Sequence, residues 1–294
     1  MTTSSEAWQA LSAWQPQTIA DLIAADPEAR LQMLVRNVAD IRFDFAKTHL
    51  DGEALAILST LAEAQDFAGR RKTLFAGGIA NPTEGRAAEH SAERGEGAPE
   101  SVHVAQALHQ RMRMLIDAIE ADAFGEIRHL LHIGIGGSAL GPDLLIDALG
   151  RHGSRYDVAV VSNVDGAALA EVVAKFDPAY TLVAVASKTF TTTETLLNAA
   201  SALQWLEEAG VDDPVGRFIA LTANPERAVE WGIDETRILP FSETVGGRYS
   251  LWSSIGFPAA LALGWDAFQD MLEGAAEMDR HFRLADGADN ICLL

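Results

Sequence analysis

A group of hydroxyl side chains and one lysine lies in the second half of the chain. Residues 187–195 read SKTFTTTET and contain five threonines, one serine and one lysine. The apolar spacing of residues 196–206 predicts a helix that follows, and Thr191 and Glu194 have the spacing of a capping box at its start. Hydroxyls, backbone N–H groups and an ammonium at one helix N-terminus suit the binding of phosphate. A threonine-rich cap without a ligand is the alternative interpretation.

A glycine-rich segment provides a second candidate anion site. Residues 134–139 read GIGGSA, and Pro142 follows at a position that suits the start of a helix. Glycines at a strand-to-helix turn let backbone N–H groups approach an anion, and the helix N-terminus adds about half a positive charge. We expect Ser138 and the hydroxyl-rich segment 187–195 to lie on adjacent turns of one sheet edge. Phosphate binding is therefore favoured over a cap without a ligand.

The same glycines also satisfy G-x-G-x-x-A, the pattern of dinucleotide-binding turns. A nicotinamide site of that kind has an acidic residue at the end of the second strand, where it binds the ribose hydroxyls. Here that predicted strand ends in Val161-Ser162-Asn163, and Asp165 lies further into the loop. Dinucleotide binding is therefore a less favoured interpretation than phosphate binding. It is also less favoured than a purely structural use of the glycines in close helix–strand packing.

One arginine follows a pair of glycines at the end of the last predicted strand. Residues 245–253 read VGGRYSLWS and place Arg248 after Gly246 and Gly247. A guanidinium at the ligand-bearing edge could stabilise an oxyanion or a carboxylate in a fixed geometry. The alternative is an arginine that stacks on Tyr249 or Trp252.

Five short apolar runs alternate with helical segments and would position these residues. The runs occupy residues 130–135, 158–161, 182–186, 218–221 and 238–241. Strands joined by helical crossovers form a parallel sheet with helices on both faces, and its ligands bind outside the carboxyl ends of the strands. Before them, residues 17–68 show helical spacing and predict a helical arm.

Composition excludes several classes of protein. The 22 Lys and Arg against 42 Asp and Glu give a formal net charge of −20, which argues against sequence-independent binding of nucleic acid or of an anionic membrane. The single cysteine, Cys292, permits neither an internal disulfide nor a cysteine-based zinc site and indicates a reducing compartment. We found no signal peptide and no membrane-spanning run, so a cytoplasmic protein is expected.

Several blocks of sequence together resemble the phosphoglucose isomerase family. They are residues 44–47 (DFAK), 81–90 (NPTEGRAAEH), 133–142 (IGIGGSALGP), 187–195 and 246–256 (GGRYSLWSSIG). Small departures occur at Pro82, Gly85 and Thr193, where the family usually has Gln at the last of these. The resemblance implies a sugar-isomerase (SIS) fold: α/β, with a five-stranded parallel sheet flanked by helices and preceded by the helical arm. We divide the chain into an N-terminal helical arm and loop (1–110), an SIS domain (111–257) and the start of a connecting segment (258–294).

The resemblance also implies a reaction and a set of site residues. Members interconvert glucose 6-phosphate and fructose 6-phosphate through a cis-enediolate, without metal or organic cofactor, and are typically dimeric. Arg248 matches the family arginine beside the reacting carbons. The implied phosphate ligands are Ser138, Ser187, Lys188, Thr189, Thr192 and Thr195.

Family members are considerably longer than this chain. Their catalytic glutamate, ring-opening histidine and late lysine lie in motifs beyond the position of Leu294. We therefore expect an N-terminal part that is inactive by itself and a homodimer in the full-length protein. A non-catalytic SIS module that binds a sugar phosphate is the alternative from another class.

Overall fold

A computed structural model describes residues 3–151 and 153–294. Contacts within the chain group these residues into two compact units. One contains residues 3–87 together with Gly274–Leu294, and the other is Ala88–Glu273. The boundaries predicted after residues 110 and 257 remain predictions, because a division by packing does not test a division by function.

The first unit is built from short capped helices and one hairpin. Its elements are α1 (Ser4–Ala13), α2 (Ile19–Ala25), α3 (Pro27–Leu34), β1 (Val35–Val38), β2 (Ile41–Asp44), α4 (Gly52–Ala64) and α5 (Phe67–Phe75). The side chain that precedes each of these helices accepts a backbone N–H of its first turn; these residues are Thr3, Thr18, Asp26, Asp51 and Asp66. Such caps satisfy donors that have no partner within the helix.

The helical prediction for residues 17–68 is wrong at residues 35–44. There β1 and β2 pair antiparallel around Ala39 and Asp40, which both have positive φ angles. A two-residue turn of this kind matches the twist of a hairpin. Val35, Val38 and Ile41 are β-branched, so they favour strands although their spacing also fits a helix.

The second unit contains the predicted α/β sheet. Its elements are α6 (Pro99–Glu120), β3 (His129–Gly134), α7 (Gly137–Gly150), β4 (Asp157–Val161), α8 (Gly166–Val173), β5 (Thr181–Ala186), α9 (Thr193–Glu208), β6 (Phe218–Thr222), α10 (Pro225–Trp231), β7 (Ile238–Pro240) and α11 (Phe257–Leu263). A further helix, α12 (Trp265–Leu284), contains the boundary between Glu273 and Gly274. The strands lie in the order β4-β3-β5-β6-β7 and all neighbours are parallel. The prediction of a five-stranded parallel sheet flanked by helices is confirmed.

Apolar layers cover both faces of this sheet. Leu182 and Ile219 belong to one buried cluster, whereas Val183 and Phe218 belong to the other. Successive residues of a strand point to opposite faces, so an uninterrupted apolar strand supplies both layers. Every residue of β5 and β6 is buried, which keeps the carboxyl ends of these strands in fixed register.

α7 begins earlier than predicted. Pro142 lies inside this helix and not at its start, since the helix begins at Gly137. Proline has no N–H, so it leaves the carbonyl of Ser138, four residues earlier, without its helical partner. The imidazole of His132 on β3 donates a hydrogen bond to that carbonyl, with 2.7 Å between Nε2 and the Ser138 oxygen. The side chain from the strand thus completes the first turn of the helix.

His132 is fully buried, and this burial lowers the pKa of its imidazole to about 4. Its Nε2 carries the hydrogen that is donated to Ser138, while Nδ1 has no hydrogen-bond partner among residues 3–151 and 153–294. At neutral pH the side chain is therefore an uncharged donor.

We predict that His132 makes the chain less stable in mild acid. Between pH 7 and pH 5 the unfolded chain takes up a proton at this histidine and the folded chain does not, so the free energy of unfolding falls by about 2 kcal/mol on this account. His132→Asn keeps a donor but cannot titrate, and its loss over the same interval should be smaller by that amount in urea titrations. The exposed His103 of α6 provides the control His103→Asn. Equal pH dependence of the wild type and His132→Asn would contradict the assignment.

Candidate functional site

The turn after β3 has glycines where its backbone comes closest to the segment that carries Arg248. Gly136 has a φ of 59° and precedes α7. A Cβ on Gly137 would overlap the carbonyl oxygen of Gly247, so only glycine fits there. Ser138 is half-buried in the first turn of α7. This contact joins the turn after β3 to the segment that carries Arg248.

Hydrogen bonds within residues 187–192 organise the hydroxyl-rich loop after β5. The Ser187 hydroxyl lies 3.1 Å from the Thr192 hydroxyl and accepts the N–H of Phe190 at 3.1 Å. The hydroxyls of Thr189 and Thr191 lie 2.7 Å apart. Phe190 has a φ of 52° and is buried, so its ring anchors a loop that bends through an unusual backbone conformation.

The predicted capping box is wrong. α9 starts at Thr193, which makes Thr192 the cap residue and places Glu194 at the second helical position. No side chain of the described residues caps this helix, and the same holds for α7. By contrast, Asp165 caps α8 and Asn224 caps α10. Of the four helices that directly follow β3, β4, β5 and β6, only α7 and α9, after the neighbouring strands β3 and β5, lack such a cap.

Thr195 adds an unpaired hydroxyl in the first turn of α9. The residue is 1% exposed, and its Oγ1 has no hydrogen-bond partner within the described part of the chain. A buried hydroxyl without a partner is costly, so Thr195 is a candidate for contact with a bound group. Together with free N–H groups at a helix N-terminus, this hydroxyl suits an oxyanion.

Lys188 connects the hydroxyl-rich loop to the segment before Arg248. Its Nζ donates to the carbonyls of Glu243, at 2.7 Å, and Val245, at 3.1 Å. The role of Lys188 as a phosphate ligand stays a prediction, and the structure shows that its ammonium links two loops of the sheet edge.

Arg248 lies in the 3₁₀ segment Gly247–Trp252 and is exposed. The alternative interpretation, stacking on Tyr249 or Trp252, is wrong: the ring of His90 stacks on Tyr249, and the guanidinium of Arg94 lies 4.7 Å from the Trp252 ring. Arg248 makes no hydrogen bond or ion pair with any residue that the structure describes. Its guanidinium is available to a ligand at this edge.

The predicted phosphate ligands thus follow the adjacent strands β3 and β5 at one edge of the sheet. Gly134 of β3 and Ala186 of β5 are paired in register, so the segments with Ser138 and Ser187 begin side by side. The contact of Gly137 with Gly247 brings the Arg248 segment to the same edge. Sequence reasoning missed Ser250, whose hydroxyl donates to the Gly247 carbonyl at 2.7 Å.

The described residues contain neither a cluster of metal-ligating side chains nor a membrane-spanning helix. No group of three or more His, Cys, Asp or Glu side chains among them could hold a metal ion. None of the helices there is both long and apolar enough to cross a bilayer.

Comparison with known proteins gives consistent matches. The family model for phosphoglucose isomerase matches residues 44–294. The chain is 87% identical to the glucose-6-phosphate isomerase of Sphingopyxis alaskensis over all 294 residues, and it covers 59% of that protein. It is 46% identical over 272 residues to the enzyme of the same name from Bordetella pertussis, covering 92% of this chain and 51% of that protein.

A crystal structure of a glucose-6-phosphate isomerase from Chlamydia trachomatis has the same fold. Its TM-score to this chain is 0.85 at 27% identity, and the match covers 98% of this chain and 58% of that one. The chain therefore spans little more than half the length of the relatives that it matches. On the extent of the family match and the identity to these relatives, the chain belongs to the phosphoglucose isomerase family.

Proposed function

We propose that this chain forms the sugar-phosphate-binding part of an isomerase that interconverts glucose 6-phosphate and fructose 6-phosphate. The observation that carries the proposal is the pair of uncapped helix N-termini, α7 and α9, after neighbouring strands, with the orphaned hydroxyl of Thr195 in the first turn of α9. Backbone N–H groups and a buried hydroxyl match the oxygens of a phosphate.

In this proposal, Ser138 and the hydroxyl-rich loop hold the phosphate. Ser187, Thr189, Thr192 and Thr195 supply hydroxyls, and Lys188 supplies an ammonium at the same edge. The phosphate does not react, so its binding energy can orient the sugar carbons for the chemical step.

Arg248 is proposed to act at the reacting end. Isomerisation moves a proton between C2 and C1 of the open-chain sugar, and negative charge develops on the enediolate oxygens. A guanidinium without internal partners can meet that charge, and such stabilisation acts mainly in the transition state. A carboxylate base and a ring-opening group would come from the part of the longer protein that this chain does not span. The reaction needs no metal or organic cofactor.

The same proposal covers the setting of the enzyme. We infer that the longer protein is a cytoplasmic homodimer of glycolysis and gluconeogenesis. A non-catalytic sugar-phosphate-binding module is the second candidate, and it would use the same phosphate residues. The exposed Arg248 favours the enzyme, because a module that only binds phosphate has no need of an arginine on a separate segment.

The orphaned hydroxyl allows a test of phosphate binding. Thr195→Val keeps the side-chain shape and removes the unpaired group, so the ligand-free chain should become more stable, by about 1 kcal/mol in urea titrations. Binding of fructose 6-phosphate should weaken about tenfold by calorimetry, because a hydrogen bond to a charged oxygen is lost. Thr193→Val, at the exposed first position of the same helix, is the control. Unchanged affinity of Thr195→Val would contradict the phosphate assignment.

Replacing the arginine tests the chemical step. In the longer protein, Arg248→Ala should lower kcat by about 10²–10³ and leave KM within about threefold, since the charge that the arginine meets develops during the reaction. Arg227→Ala, an exposed arginine of α10 paired with Glu230, is the matched control. An increase in KM with unchanged kcat would show that Arg248 only binds substrate.

The chain alone should bind but not turn over. A general base contributes about 10²–10⁴ to the rate, so residues 1–294 should isomerise fructose 6-phosphate more slowly than the longer protein by at least that factor. Binding measured by calorimetry should persist. A coupled assay in which both proteins turn over equally would disprove this division of the site.

A further inference from the structure

A buried carboxylate and a buried imidazole that were not among the predicted site residues lie in contact with each other. Glu93 is 5% exposed, and His109 on α6 is 9% exposed. The Oε2 atom of Glu93 lies 3.0 Å from Nε2 of His109. Neither residue stands out in the sequence, because they come from separate elements and match no motif.

The same imidazole nitrogen contacts a backbone carbonyl. Nε2 of His109 lies 2.8 Å from the carbonyl oxygen of Trp252 with hydrogen-bond geometry. Both neighbours of Nε2 are acceptors, so this nitrogen must carry a hydrogen. Oε2 of Glu93 meets no hydrogen-bond criterion with any described group. The N–H therefore points at Trp252, and the carboxylate beside it favours the tautomer with hydrogen on Nε2.

Trp252 is the last residue of the segment that contains Arg248. Its carbonyl is held by His109, and its ring packs under the guanidinium of Arg94 at 4.7 Å. Phe268 meets the His109 ring edge-on, with centroids 6.1 Å apart. The carboxyl end of the segment is thus held from two sides, by the buried His109 and the half-buried Arg94.

The amino end of the segment is held differently. Gly246 and Gly247 precede Arg248, and the Ser250 hydroxyl donates to the Gly247 carbonyl. Since the Arg248 side chain makes no hydrogen bond, ion pair or ring contact with the described residues, its position depends mainly on the backbone of this segment. We propose that His109, with its tautomer set by Glu93, is a positioning residue for Arg248. This inference rests on the proposed function of Arg248 in isomerisation.

A positioning role differs from general stabilisation in its kinetic effect. Loss of the hydrogen bond should loosen the Arg248 segment and leave the phosphate loop intact. His109→Leu in the longer protein should therefore lower kcat about tenfold, with KM within about twofold. His109→Gln retains an N–H donor and should recover most of the lost activity. Glu93→Gln keeps the shape of the side chain and should lower kcat by a smaller factor.

Amide hydrogen exchange provides a readout without substrate. In the chain of residues 1–294, His109→Leu should speed amide exchange about tenfold in peptides that cover residues 247–253. Exchange in residues 187–195 should stay unchanged. His103→Leu, at an exposed position of the same helix, should change neither peptide.

Three results would overturn the proposal: unchanged exchange at residues 247–253, faster exchange throughout the second unit, or equal effects on kcat and KM. Absence of isomerase activity in the wild-type longer protein is a separate outcome. It would overturn the proposed function and hence the role of His109 in catalysis. Normal activity of His109→Leu beside an impaired Arg248→Ala would overturn only the inference about His109.

Discussion

The candidate site depends on a contact between two backbones with no side chain between them. Gly137 lies so close to the Gly247 carbonyl that a methyl group would overlap it. This approach sets the distance between the first turn of α7 and the segment that carries Arg248. Any larger residue at position 137 would push the two loops apart, so the arrangement of donors at this edge rests on the absence of one Cβ.

Much of this architecture can be predicted from the sequence, because buried strands need apolar runs and tight turns need glycines. The five strands were predicted to within one residue of their observed ends, as expected for buried parallel strands. The hairpin at residues 35–44 was missed, because β-branched residues there also have helical spacing. The start of α7 was misplaced, because a proline that suits a first turn lies deeper in the helix and the lost hydrogen bond is compensated by His132, which the helix sequence does not contain.

The candidate residues were predictable as a set, but their partners were not. Segments 134–139 and 187–195 could be assigned to one edge, since parallel strands end together. Which hydroxyl lacks a partner, which rings stack with Arg94 and His90, and which histidine holds Trp252 depend on packing between distant segments. The same applies to charge: a chain with a net charge of −20 opposes an anion at long range, so the phosphate binding that we propose relies on short-range donors at two helix N-termini.

Lys188 has a consequence for which anions the site can accept. Its ammonium donates to the carbonyls of Glu243 and Val245, and these two hydrogen bonds hold the positive charge at one place between the two loops. A small monovalent ion such as chloride carries one charge on a single centre, so it gains little from an ammonium and helix N-termini that are held apart. A dianion with several oxygens can accept hydrogen bonds from several of these donors at once. A lysine that is fixed in this way would thereby favour the proposed phosphate over the abundant simple salts of the cell.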